Sequence, residues 1–289
     1  MDTLPFVDTH FHSFDLAHGE LEYEWLMPGV MHPNLGDIDG IKSDKYLVEH
    51  FVAESRHSNV IKAVHVEADI SSGNPVTETA WLEEAAERTG MPNAIVADAD
   101  LKDPHVGDIL ELHARHSRVR GIRDFSYGDF LVEESFHRGY ALLERHGLLF
   151  DVACVWEDMS KLGDLAQRFP GIPVVLEHAG FPQQRSAEYF ENWRRGLRQV
   201  AAAPNTVVKI SGLGMGDPWW SVESLRPWVL ECIEAFGIAR AFFGTNWPVD
   251  RLYSSYADVI NAYRTIIADF ADDERQALLA TNAERVYRI

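Results

Sequence analysis

Val7-Asp8-Thr9-His10-Phe11-His12 is the stretch on which the reading of this chain turns. Two histidines two residues apart on a strand project to one face. Imidazole is the commonest metal-binding side chain, so both rings can reach one ion or one substrate from a single rigid element. The pair follows an apolar lead, Leu4 to Val7, and precedes a long polar segment. That pattern predicts the end of a strand where a βα loop begins, which is where α/β barrels keep their active sites. An HxH pattern also arises by chance, so its weight depends on the rest of the chain.

Strands and helices alternate through the remainder of the sequence. Short β-branched or apolar runs recur at Val60–Val66, Ala94–Ala97, Val119–Ile122, Leu148–Val152, Pro173–Leu176, Thr206–Ile210 and Ala241–Phe243. Amphipathic stretches lie between them, at Asp44–Arg56, Thr77–Arg88, Glu134–Arg145, Ser221–Phe236, Tyr256–Ile267 and Asp272–Tyr287. With the N-terminal run this predicts an α/β fold, a (β/α)8 TIM barrel formed as one domain over residues 1–289. Ser13–Ser43 and Ala179–Glu191 read as long connections capping the catalytic mouth.

Composition narrows the partners. The 289 residues carry a net charge of −19, which argues against nucleic acid or an anionic membrane as a partner. No apolar run reaches the length of a membrane span and no signal peptide is visible. Cys154 and Cys232 are the only cysteines, so no disulfide framework is indicated. The expectation is a cytoplasmic protein acting on a small molecule, with a homo-oligomer left open.

The strand ends supply the candidate site. By alternation His178 shares a face with Val174 and Leu176 while Glu177 points the other way, making His178 an inward residue. Asn246 shares the face of Phe242 and Gly244. Arg123 closes the fourth strand and can bind a substrate carboxylate through both arms of its guanidinium, or form a surface salt bridge. His65 and Glu67 share a face of the second strand, with its direction undetermined, and Lys209 reads as packing or a salt bridge. Trp25 and His32 in the first loop, and Trp219-Trp220 after the seventh strand, are candidate aromatic walls for a sugar face or an aromatic ring.

Taken together, Asp8-Thr9-His10-Phe11-His12, Leu176-Glu177-His178-Ala179-Gly180, Val208-Lys209-Ile210-Ser211-Gly212 and Phe243-Gly244-Thr245-Asn246-Trp247-Pro248 resemble the amidohydrolase superfamily. The tail Asn282-Ala283-Glu284-Arg285-Val286-Tyr287 fits as well. Within the superfamily the chain is similar to the amidohydrolase 2 group, which includes sugar-lactone and aromatic-acid lactone hydrolases. The resemblance runs in order along essentially the whole chain. It implies a (β/α)8 barrel that hydrolyses the ester-like C–O bond of a lactone. It also implies that His10, His12 and His178 form a cluster that binds a metal or polarises a carbonyl. One position departs from the pattern. Most of the superfamily ends the eighth strand with an aspartate that binds metal and takes the proton of the attacking water, and here that position is Asn246. A carboxamide is no general base and a poor ligand beside a carboxylate. Asp250 is the nearest acid that a turn can bring back, and it also reads as a loop carboxylate or helix cap.

Two mechanisms stay open on these residues. In one, a single divalent ion, zinc, sits on His10, His12 and His178. In the other no metal is needed: His178 polarises the carbonyl, Arg123 anchors a substrate carboxylate and Asp250 activates water. A metal-dependent decarboxylase and a non-catalytic small-molecule-binding barrel are the alternative functions.

Overall fold

The computed structural model describes residues 4–33, 35–71, 73–126 and 128–289. Eight parallel strands form the barrel: β1 (Phe6–Phe11), β2 (Val60–Val66), β3 (Ala94–Asp98), β4 (Val119–Arg123), β5 (Leu149–Ala153), β6 (Val174–Glu177), β7 (Thr206–Ile210) and β8 (Ala241–Phe243). They pair neighbour to neighbour in chain order. The seam between β8 and β1 is drawn together by Thr9 Oγ1 donating to the Phe243 carbonyl at 2.7 Å and His12 N donating to the Trp247 carbonyl at 2.7 Å. Buried on both faces, the strands read as apolar runs, as parallel strands sheathed by helices do. The first strand is longer than its apolar lead suggests and continues through His10 to Phe11.

The helical layer is fuller than the sequence pattern predicts. Three helices absent from that reading are present at Val106–His113, Met159–Arg168 and Ala187–Ala201. The last fills part of the stretch expected to be a long connection. Its apolar stripe is narrow, with Trp193, Leu197 and Val200 buried among arginines and glutamates, and Ser186 caps it by accepting from Tyr189 N at 3.2 Å. The first long loop is tied at both ends by an antiparallel pairing of Phe14–Asp15 with Lys45–Tyr46. Among the described residues no helix is long and apolar enough to cross a membrane.

Inward residues recur every second position and stack in layers up the barrel. The floor is apolar: Val7, Val64, Val96, Leu149, Val175 and Phe242 pack together, and Tyr287 of the C-terminal helix plugs them from below. One step up, Asp151, Lys209, Glu177 and Arg123 replace Leu149, Val207, Val175 and Gly121 on their strands. These four charges are buried and linked. Tyr287 Oη donates to Asp151 Oδ2 at 2.8 Å, and Lys209 Nζ lies 3.0 Å from Asp151 Oδ2 and 3.4 Å from Glu177 Oε1. Arg123 Nη1 reaches Glu177 Oε2 at 3.2 Å, while its Nε pairs with Glu67.

Candidate active site

Strict alternation along β1 would turn His10 and His12 toward the helices. Val7 faces the floor, Phe6 belongs to the outer core, and Asp8 accepts from Tyr256 Oη on the outer helix Tyr256–Ile266 at 2.9 Å. The register resolves this. Asp8 lies opposite Ala63 and Phe11 opposite His65, so three steps on β1 match two on β2. That extra residue is a β-bulge, and one residue of slip exchanges the faces. Phe11 turns outward to stack on Phe51 at 4.1 Å between ring centroids, and His10 and His12 turn inward.

His178 arrives by a different device. β6 ends at Glu177, and His178 and Ala179 take left-handed conformations with φ of 52° and 54°. The expected alternation is thereby corrected: Val175 and Glu177 face the barrel interior, Val174 and Leu176 face the helices, and the left-handed step returns His178 to the mouth. Glycine is required at the facing residue 212, where φ is 60° and a Cβ would lie 2.6 Å from His178 Nδ1.

Each ring faces a polar group at its Nδ1 side. His12 Nδ1 lies 2.9 Å from the Val66 carbonyl, a bond that only a protonated Nδ1 can make, so His12 Nε2 is a bare lone pair. His178 Nδ1 lies 3.0 Å from Ser211 Oγ. His10 Nδ1 is 3.3 Å from Glu177 Oε1 yet makes no hydrogen bond, and its Nε2 is 3.1 Å from His12 Nε2. Neutral His10 thus has one proton and an acceptor on each side. Burial, reinforced by His178 and Lys209, drives its pKa well below the ordinary value and keeps it neutral. Burial likewise pushes His12 down to about 3 and His178 down to about 4. A divalent cation fits this arrangement: the neutral imidazoles offer it nitrogen lone pairs, and a carbonyl, a hydroxyl and a carboxylate stand behind the three rings. Ligand atoms of His10, Glu177 and His178 lie within 4.8 Å of one another.

Above the rings opens a cavity of about 400 Å³. Trp25, His32, Phe125, Phe181 and Met215 supply its apolar and aromatic walls, and Asp69, Asp158, Gln183 and Asn246 its polar groups. Trp25 is fixed by donating its Nε1 proton to the Ala68 carbonyl at 2.8 Å and meets His32 edge-on at 5.9 Å. Trp219, expected as a second wall, is instead 94% exposed and contributes nothing to the cavity lining. Arg123 lines the cavity, but each of its guanidinium nitrogens already donates within the protein: Nε to Glu67, Nη1 to Glu177 and Nη2 to the Glu67 carbonyl at 2.6 Å. Asp250 lies buried behind Asn246, accepting from its Nδ2 at 3.2 Å, and burial raises its pKa to about 8. It is therefore protonated near neutrality and orients Asn246 from behind.

Sequence reasoning missed Glu177 and Lys209 as interior residues and Ser211 as the anchor of His178. The alternating charges at Asp151, Glu177 and Lys209, each two residues beyond an apolar floor residue, were the available signal.

The family model described as amidohydrolase matches residues 7–289. A Sinorhizobium fredii protein, "uncharacterized protein y4mH", is 38% identical over 100% of both chains. An L-fucono-1,5-lactonase of Burkholderia ambifaria is 30% identical over 73% of this chain and 76% of its own. The crystal structure of an amidohydrolase from Burkholderia multivorans with bound zinc superposes with a TM-score of 0.84 at 25% identity, covering 99% of each chain.

Proposed function

The chain belongs to the amidohydrolase family and is an enzyme of the hydrolase class, and on that premise we propose that it opens the C–O bond of a small, uncharged sugar lactone by water attack at the barrel mouth. The unit is a single barrel domain spanning residues 1–289, placed in the cytoplasm, where its two free buried cysteines stay reduced. The observation that carries the choice of substrate is the commitment of Arg123. The cavity's arginine is already paired with two buried carboxylates, Glu67 and Glu177, so it brings no unbalanced positive charge to a substrate carboxylate, whereas Asp69 and Asp158 offer acceptors suited to hydroxyl groups. The relative named for a fuconolactone supports the same class.

His10, His12 and His178 would hold one divalent ion, and zinc suits three neutral nitrogens best. When bound, such an ion polarises the lactone carbonyl and makes water a nucleophile near neutral pH. The side chains do the rest. The Trp25 ring packs against the C–H face of the sugar. Asn246, its Nδ2 held by Asp250, presents its carbonyl oxygen to water or to a substrate hydroxyl. A carboxamide takes no proton, which leaves the cavity carboxylates Asp69 and Asp158 as acceptors for the proton of the attacking water.

Acid release measured with a pH indicator tests this on a panel of sugar lactones and on a pyrone dicarboxylate. Turnover of a neutral sugar lactone, lost on chelation and restored by zinc, is expected. Turnover of the dicarboxylate alone would overturn the substrate class. Carbon dioxide release from an aromatic acid, with no lactone opened, would overturn the reaction.

A further inference from the structure

We propose that Glu177 is a positioning residue for His10, and that His10 exchanges one tautomer for the other when a divalent ion fills the site. The inference rests on the divalent-ion reading above. Without an ion, the single ring proton of His10 belongs on Nε2, where it donates to the bare Nε2 of His12 at 3.1 Å. That leaves the Nδ1 lone pair facing Glu177 Oε1 at 3.3 Å, a buried polar atom with no hydrogen bond. With an ion on the two Nε2 atoms, the same proton sits on Nδ1 and donates to the carboxylate. The ring gains and loses no proton overall; the proton leaves Nε2 and Nδ1 takes one up.

Glu177 cannot move aside to relieve the unfilled state. Arg123 Nη1 grips Oε2 at 3.2 Å, and Lys209 Nζ lies 3.4 Å from Oε1. Lys209 is fixed by Asp151 at 3.0 Å, and Asp151 by Tyr287 Oη at 2.8 Å. The carboxylate is therefore clamped from the barrel floor upward and aimed at one nitrogen. A carboxylate behind a metal-binding histidine sets its tautomer and raises its basicity. Here the cluster is frustrated when unfilled and satisfied when filled.

Nitrogen-15 spectra of histidine-labelled protein, with His10 assigned by its loss in His10→Gln, read the tautomer directly. The chelator-treated protein is expected to show His10 protonated at Nε2, and the zinc-loaded protein at Nδ1. Zinc affinity is measured by competition with a chromophoric chelator. Glu177→Gln, whose amide can donate to Nδ1, should hold His10 in the Nε2–H form and weaken zinc binding about 10–100-fold. Asp151→Asn cuts the same column one link lower, leaving Lys209 and Arg123 on Glu177, and should weaken zinc binding less than Glu177→Gln does. Should Glu177→Gln not fold, Glu177→Asp, which keeps the charge but withdraws the oxygen from His10, should show the same weakening. One His10 tautomer under both conditions, or a folded Glu177 variant binding zinc as tightly as the wild type, overturns the proposal. A wild-type protein that takes up no zinc overturns the divalent-ion reading itself, and the tautomer exchange with it. A Nδ1–H signal in the chelator-treated wild type overturns the tautomer exchange.

Discussion

The floor of the barrel and the layer above it differ by a single step of two residues along each strand. At the floor, Val175, Leu149 and Val207 meet as hydrocarbon, closed from below by Tyr287. Two residues on, Glu177, Asp151 and Lys209 meet as fully buried charges beneath the histidines. Burial of the apolar layer is favourable by itself. Burial of the charged layer is costly unless every member is paired, and replacing such pairs by hydrocarbon is often neutral or stabilising. The difference teaches that the floor supplies stability, while the charged layer spends some of it to hold the imidazoles in register.

The largest effect is expected at the mouth. His178→Ala should lower kcat/KM by on the order of 10³-fold, as loss of a group stabilising the transition state does, while shifting the melting temperature little. Initial rates and a thermal melt on one preparation check both halves. A variant that loses stability but keeps its turnover would erase the division between the two layers.

The opposite signature is expected at the floor. Leu149→Ala removes a side chain that is 2% exposed and should cost about 2–5 kcal/mol in urea unfolding. Its kcat/KM per folded molecule should stay within a few-fold of wild type. A large activity loss there would mean that floor packing also sets the site.

A last effect is read through pH. Burial raises Asp250 from 3.8 to about 8. Between those values the folded chain keeps a proton that the unfolded chain releases, so this group's contribution is complete below about 4 and is lost as pH rises through about 8. The slope from one group is at most about 1.4 kcal/mol per pH unit. Asp250→Asn keeps an acceptor for Asn246 Nδ2 and carries no charge. It should melt increasingly above wild type from pH 5 to pH 8, and a pH-independent gap in the two melting curves would remove Asp250 as the titrating group.

Much of the fold was legible because apolar runs of strand length, alternating with helical periodicity, are local signals. The helices Met159–Arg168 and Ala187–Ala201 escaped because their apolar stripes are thin among polar residues, so tertiary packing of a few residues such as Trp193 and Leu197 decides them, and Val106–His113 is only eight residues long. The histidines were legible as a cluster because strand ends converge in a barrel whatever the details. The faces of individual side chains were less so. Simple alternation points Glu177 outward and leaves Arg123 for substrate, yet both belong to the interior ionic layer.

Chain pattern and the family resemblance it carries thus pointed to the eight-stranded barrel, the three histidines at strand ends, and the carboxamide of Asn246 at the end of the eighth strand. Tertiary structure alone decided which way those groups point and what they are joined to. The physical reason is that period-two arithmetic assumes an unbroken strand. The bulge before Phe11 exists only in the pairing of β1 with β2, and the left-handed step at His178 only in its packing against Ser211 and Gly212. Partners within the buried ionic layer lie 32 residues or more apart along the chain, so no local pattern records them.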